Sequence, residues 1–139
     1  MQNEPEHHTP LIQKLGYTSN EAVDTVDAPE WFLEYLRGNG VHTHAKLPTE
    51  WLHIFATSSK QLEHFMRHLK FNEIQKGFWI SWPQKGSGIH TNLSEQELRD
   101  IVLPHGWVDV KVCAIDDTWS ALKFVRRAES ESDAALRDV

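Results

Sequence analysis

The chain carries a single cysteine, Cys113. That excludes a disulfide within it and fits a reducing cytoplasm. No run approaches the roughly twenty apolar residues that a membrane-spanning helix needs. Met1 to Thr9 is polar and acidic, so no export signal is expected and the placement expected is cytoplasmic. Positive charge is also scarce. Fourteen Lys and Arg stand against 20 Asp and Glu, a formal net charge of −6. Nucleic-acid backbone binding therefore has no bulk electrostatic support, although a local basic cluster can still hold one phosphate.

What remains is ordinary globular material. At 139 residues, 40% hydrophobic and 24% charged, the chain is read as one domain with a sizeable core. Six Trp are many for this length and are expected as core or pocket-lining residues. Residues 1–14 read as a polar N-terminal tail and residues 15–127 as a single Rossmann-like α/β domain. Residues 128–139, with Glu129-Ser-Glu-Ser-Asp133, read as a charged tail expected to be disordered. Pro10 to Leu15 predicts a short helix stopped at Gly16.

Helix starts are marked by capping signals. Asp27-Ala-Pro-Glu30 reads as one, with Asp27 as cap, and the helix then buries Trp31, Phe32, Tyr35 and Leu36 before Gly38. Ser58-x-x-Gln61 opens a second, with Leu62, Phe65, Met66 and Leu69 on one face. Ser94-x-x-Glu97 opens a third, running to Leu103 ahead of Pro104. Strands are expected at Ala22 to Val26, Val41 to Leu47, Trp51 to Thr57 and Gly77 to Trp82. A hairpin is expected from Val108 to Ile115 and Ser120 to Arg127, since no crossover helix fits between those two runs. The fold class is α/β: a three-layer, Rossmann-like, mostly parallel sheet with a C-terminal antiparallel hairpin edge.

Ligands of such sheets bind outside the carboxyl ends of the strands. That rule selects Asp27-Ala-Pro-Glu30, Thr57-Ser-Ser59, Trp82 to Gly88 and Asp116 to Trp119. The last is included because the hairpin strand entering it is expected to run parallel to its neighbour. In Lys85-Gly86-Ser87-Gly88 two glycines let backbone N–H groups turn inward, Ser87 adds a hydroxyl and Lys85 a charge, which suits an anion. The P-loop spacing is missing, and a plain strand-to-helix connection would use the same glycines. Asp117 and Trp119 can form the facing wall, although Asp116-Asp117-Thr118 is also ordinary turn chemistry. Nine histidines raise the question of a metal. His64 and His68 lack the Glu of a His-Glu-x-x-His pair, His42 and His44 share a strand face, and His53, His90 and His105 stand alone. No metal site is expected. Cys113, mid-strand, is read as packing.

Phe55-Ala-Thr-Ser-Ser59, Trp79 to Gly88 and Gly106 to Val125, with Lys14-Leu-Gly16 and Asp27-Ala-Pro-Glu30, resemble small bacterial proteins of a domain of unknown function family, DUF3052. The resemblance implies a shortened, degenerate class I methyltransferase fold and brings no activity with it. Those enzymes carry a Gly-x-Gly loop after their first strand, where this chain has Asp27-Ala-Pro-Glu30. They end the second strand with an acidic residue, where this chain has Ala45-Lys46-Leu47. No Asn-Pro-Pro-Tyr-like motif follows the third strand. S-adenosylmethionine binding in the usual manner is disfavoured, and no cofactor is expected. The function expected is a non-catalytic module that binds a small anionic ligand or a protein partner through Lys85, Gly86, Ser87, Gly88, Asp117 and Trp119. The alternative is a divergent methyltransferase, and a structural or regulatory interaction domain is a third reading.

Overall fold

Pro10 and Gly16 bracket the first helix, α1 (Leu11–Leu15), in the computed structural model, which describes residues 9–127. Gly16 sits at φ 79° and returns its N–H to the carbonyls of Ile12 and Gln13, the left-handed helix end that glycine adopts most readily. Leu11, Ile12 and Leu15 pack into the core, so this helix lies across the expected start of the domain. The tail at 128–139 lies outside the described residues.

The remaining elements are β1 (Val23–Val26), α2 (Glu30–Gly38), β2 (Thr49–Phe55), α3 (Ser59–His68), β3 (Ile74–Pro83), α4 (Glu95–Val102), β4 (Trp107–Ala114) and β5 (Trp119–Arg126). Short 3-10 turns at Phe71–Glu73 and Leu103–His105 lead into β3 and β4. The sheet order is β1-β2-β3-β5-β4, with β1, β2 and β3 parallel and β5 antiparallel to both of its neighbours. β2 and β3 read as near-continuous apolar runs because both of their faces are covered. On one face Leu62 and Met66 of α3 and Leu98 and Val102 of α4 pack on Leu52, Ile54, Ile80 and Leu122. On the other, Leu15, Phe32 and Leu36 from α1 and α2 pack on Phe55, Trp79 and Ala121. Each such fully buried side chain stabilises the fold by about 1.5–3 kcal/mol. The result is the three-layer α/β architecture read from the sequence.

Three expectations change. No strand forms over Val41–Leu47; a single parallel bridge joins Ala22 to His42 on the outer side of β1. The chain must then return beneath β1 to start β2 on its other side, where Trp51 lies opposite Val23. Residues 43–48 are used in that return, which leaves no length for a strand. Asp27 does not cap α2. It adopts φ 60°, and Pro29 occupies the cap position without a side-chain hydrogen bond. The hairpin also folds the other way round: β5, the strand leaving the turn, pairs with β3, so β4 is the edge and its one neighbour is antiparallel. The other two caps form as read. Ser58 Oγ accepts from Gln61 N–H at 3.1 Å and Ser94 Oγ from Glu97 N–H at 3.2 Å.

Candidate functional site

The carboxyl ends of β1, β2 and β3 and the β4–β5 turn share one rim, and a set of amide side chains ties them together. Gln61, in the first turn of α3, accepts from Thr57 N–H at 2.8 Å and donates to Asp27 Oδ2 at 3.1 Å, joining the ends of β2 and β1. Asn92, at the far end of the loop after β3, accepts from Ser59 N–H and donates to Ser59 Oγ, each at 2.9 Å. Gln84 donates its N–H to Thr118 O at 2.7 Å and its Nε2 to Asp116 O at 2.8 Å, holding the start of the same loop on the hairpin turn. All four segments selected from the sequence therefore reach this rim. Gln61, Gln84 and Asn92, which hold it together, gave no signal as site residues beyond the capping role of Gln61.

Lys85, Gly86 and Gly88 are exposed, with Gly86 at φ 81° and Gly88 at φ 90°. These left-handed positions alternate along the loop, the arrangement in which successive N–H groups form a concavity. Ser87 N–H donates to Gln84 O, and Ser87 Oγ accepts from Ile89 N–H at 3.3 Å. Asp117 is exposed. Trp119 is half-buried, its ring edge-on to Phe55 with centroids 5.0 Å apart. Asp116 is accounted for structurally: its Oδ1 accepts from the N–H groups of Thr118 and Trp119, both at 2.8 Å. The larger clefts open away from the rim. One of about 330 Å³ lies beside Arg37 and Val41–Ala45, and one of about 370 Å³ lies between α3 and α4. Among the described residues no three His, Cys, Asp or Glu side chains converge as metal ligands.

The groups whose ionisation is displaced lie below the rim. His53 has no exposed surface, and burial drives its pKa down to about 3. Tyr17 Oη lies 2.8 Å from its Nδ1 and Ser81 Oγ 2.7 Å from its Nε2. A neutral imidazole donates through one nitrogen and accepts through the other, so each of the two hydroxyls has a partner on the ring. His53, read from the sequence as standing alone, is thus the centre of a buried polar chain. Burial pushes the Tyr17 hydroxyl well up, with the nearby charges of Cys113 and Glu21 adding to the shift. For Glu21, burial works upward but is outweighed. Hydrogen bonds from Lys76, Thr18 N–H and Trp51 Nε1, with the Lys76 charge, hold its carboxyl below the ordinary range. Burial pushes the Cys113 thiol up, against the pull of Lys14 and Lys111.

A mostly parallel sheet covered on both faces, with an antiparallel strand inserted next to its last parallel one, defines a Rossmann-like α/β protein. Solved structures agree on the fold. A protein of the NADB-Rossmann superfamily from Streptococcus agalactiae aligns over 94% of this chain and 73% of its own, with 8% identity and a TM-score of 0.54. A SAM dependent methyltransferase from Aquifex aeolicus covers 88% of this chain and 89% of its own at 12% identity and TM-score 0.54. Magnesium protoporphyrin IX methyltransferase from Synechocystis PCC 6803, solved with bound SAM, covers 84% and 74% at 10% identity and TM-score 0.53. At these identities the likeness is one of fold.

The chain belongs to the domain of unknown function family DUF8412, whose model matches residues 49–135. The resemblance to DUF3052 is thereby corrected. The three main passages that suggested it, at 55–59, 79–88 and 106–125, all fall inside this match. They trace strand and loop segments of the fold and do not mark that family. No curated protein matches the chain in sequence.

Proposed function

We propose that this domain is a non-catalytic Rossmann-like module that binds a small anionic ligand at the strand-end rim. The observation that carries the reading is the double tie of Gln84 to Thr118 and Asp116, which keeps the Lys85–Gly88 loop beside Asp117 and Trp119. Lys85 supplies the cation, and the N–H groups of Gly86 and Gly88 supply donors. Ser87 keeps the loop turned through its contact with Ile89. Asp117 disfavours a second negative group on its side. The ligand therefore carries its charge at the Lys85 end and a neutral or donor-bearing body toward Trp119.

The second reading, a divergent S-adenosylmethionine-dependent methyltransferase, draws weight from the two methyltransferase neighbours with TM-scores of 0.53 and 0.54. Against it stands the β1–α2 turn. Pro29 contributes no N–H there, Asp27 is tied to Gln61, and the strand that would offer an acidic residue to a ribose is reduced to one bridge. Native mass spectrometry of the gently purified protein, with and without added S-adenosylmethionine, separates the two. The module reading expects no S-adenosylmethionine adduct. A stoichiometric adduct would transfer support to the methyltransferase.

A further inference from the structure

α3 places His64 and His68 four residues apart, so both side chains stand on one exposed stripe of the helix. Their rings stack with centroids 4.2 Å apart and planes inclined by 30°. His68 Nδ1 lies 2.9 Å from the carbonyl oxygen of His64. A carbonyl only accepts, so Nδ1 carries the proton and the neutral ring keeps its lone pair on Nε2. Histidines that bind metals are held in this way, one ring nitrogen donating to a backbone carbonyl and the other turned to the ion.

The spacing of the rings suits the same role. Two imidazole nitrogens bound to one zinc ion at about 2.0–2.1 Å, at right or tetrahedral angles, set their ring centres roughly 4.5–5 Å apart. The stack lies close to that spacing, and a small splaying of two exposed rings supplies the rest. His68 is also the last residue of α3, where the helix dipole is negative and favours a cation. From Ser59 at the rim, the pair lies about 7.5 to 13.5 Å further along the helix axis at 1.5 Å per residue.

We propose that His64 and His68 form a two-nitrogen chelate for a divalent first-row transition ion of the zinc or copper type, on the exposed face of α3. Imidazole suits these ions, whereas Mg2+ and Ca2+ call for oxygen donors. Two protein ligands leave the remaining coordination positions to water. Phe65-Met66-Arg67 between them supplies no Glu to take a proton from that water, so the site is one of binding rather than hydrolysis.

The test is titration of the full chain with zinc chloride, read by calorimetry and by thermal unfolding, on the wild type, His64→Gln and His68→Gln. Both histidines are exposed, so the variants are expected to fold. The wild type is expected to bind zinc saturably and to melt at a higher temperature with it, since the two rings meet only on the folded helix. Each variant should bind at least tenfold more weakly at this site and lose the rise in melting temperature. In long-range imidazole spectra of the wild type, zinc should shift Nε2 of His68 and leave its Nδ1 proton in place. No saturable binding by the wild type would overturn the site. The same affinity and the same rise in both variants would assign zinc to other histidines and overturn it too. A loss confined to one variant would reduce the chelate to a single-histidine contact and equally overturn it.

Discussion

Gln61 donates from Nε2 to Asp27 Oδ2 at 3.1 Å, and this contact fastens the end of β1 to the first turn of α3 across 34 residues of sequence. The same side chain accepts from Thr57 N–H, so it closes a helix cap and spans the rim at once. Gln61→Ala should therefore destabilise the fold by about 1 kcal/mol, the usual loss for a cap. Asp27→Asn should be tolerated, since Asn also accepts a hydrogen bond and adopts positive φ readily. Denaturant unfolding of the two variants checks both.

The His53 chain predicts a particular pH dependence. The folded pKa is about 3, below the ordinary 6.5, so the folded state takes up its proton later than the unfolded chain does. Stability contributed by this group is complete above pH 6.5 and is lost as pH falls toward 3. The slope is at most about 1.4 kcal/mol per pH unit. Glu21, held below its ordinary value of 4.5, adds a loss of the same sign at lower pH, so the interval from 6.5 to 5 isolates His53. His53→Gln should flatten the melting temperature across that interval. It should also cost roughly 1–3 kcal/mol for each buried hydroxyl left unpaired.

Glu21 and Lys76 should respond unequally to removal. The Glu21 side chain is 10% exposed and that of Lys76 52%. Glu21→Ala strips Lys76, Trp51 Nε1 and Thr18 N–H of their acceptor, and a loss of about 1–3 kcal/mol is expected. Lys76→Ala removes one solvent-screened partner and should cost less than about 1 kcal/mol. Thermal unfolding of the pair of variants measures the difference.

Gly77 marks a close approach between strands. A Cβ there would stand 2.6 Å from Phe124 O and 3.3 Å from Val125 Cγ1. Gly77→Ala should force β3 and β5 apart and destabilise by roughly 1–3 kcal/mol, the usual range for overpacking. Unfolding by urea, with the m-value unchanged, would identify the loss as one of native packing.

Much of this architecture was legible because it is written locally. Ser58 and Gln61, and Ser94 and Glu97, sit at fixed offsets before apolar stripes, and both caps form. The short link between the last two apolar runs left a hairpin as the one connection that fits. What was not legible depends on partners distant in sequence. Nothing local says that residues 43–48 must double back beneath β1, so Val41–Leu47 reads as a strand by composition. Asp27 has cap chemistry, yet Gln61 engages its carboxylate from another helix. His53 shows its role only when Ser81 and Tyr17 arrive from β3 and the segment after α1. The rim segments were inferred from topology, whereas the side chains that hold them, Gln84 and Asn92, look in sequence like any loop amides.

The central claim is that the Lys85–Gly88 loop and its facing wall bind an anion. Amide chemical-shift mapping during titration with inorganic phosphate, on the wild type and on Lys85→Ala, tests it most directly. Saturable shifts at Gly86, Ser87, Gly88 and the Trp119 indole are expected in the wild type. They should be absent in Lys85→Ala, with the melting temperature unchanged because Lys85 is exposed and outside the core. No saturable shift in this loop, or the same shifts in Lys85→Ala, would contradict the account.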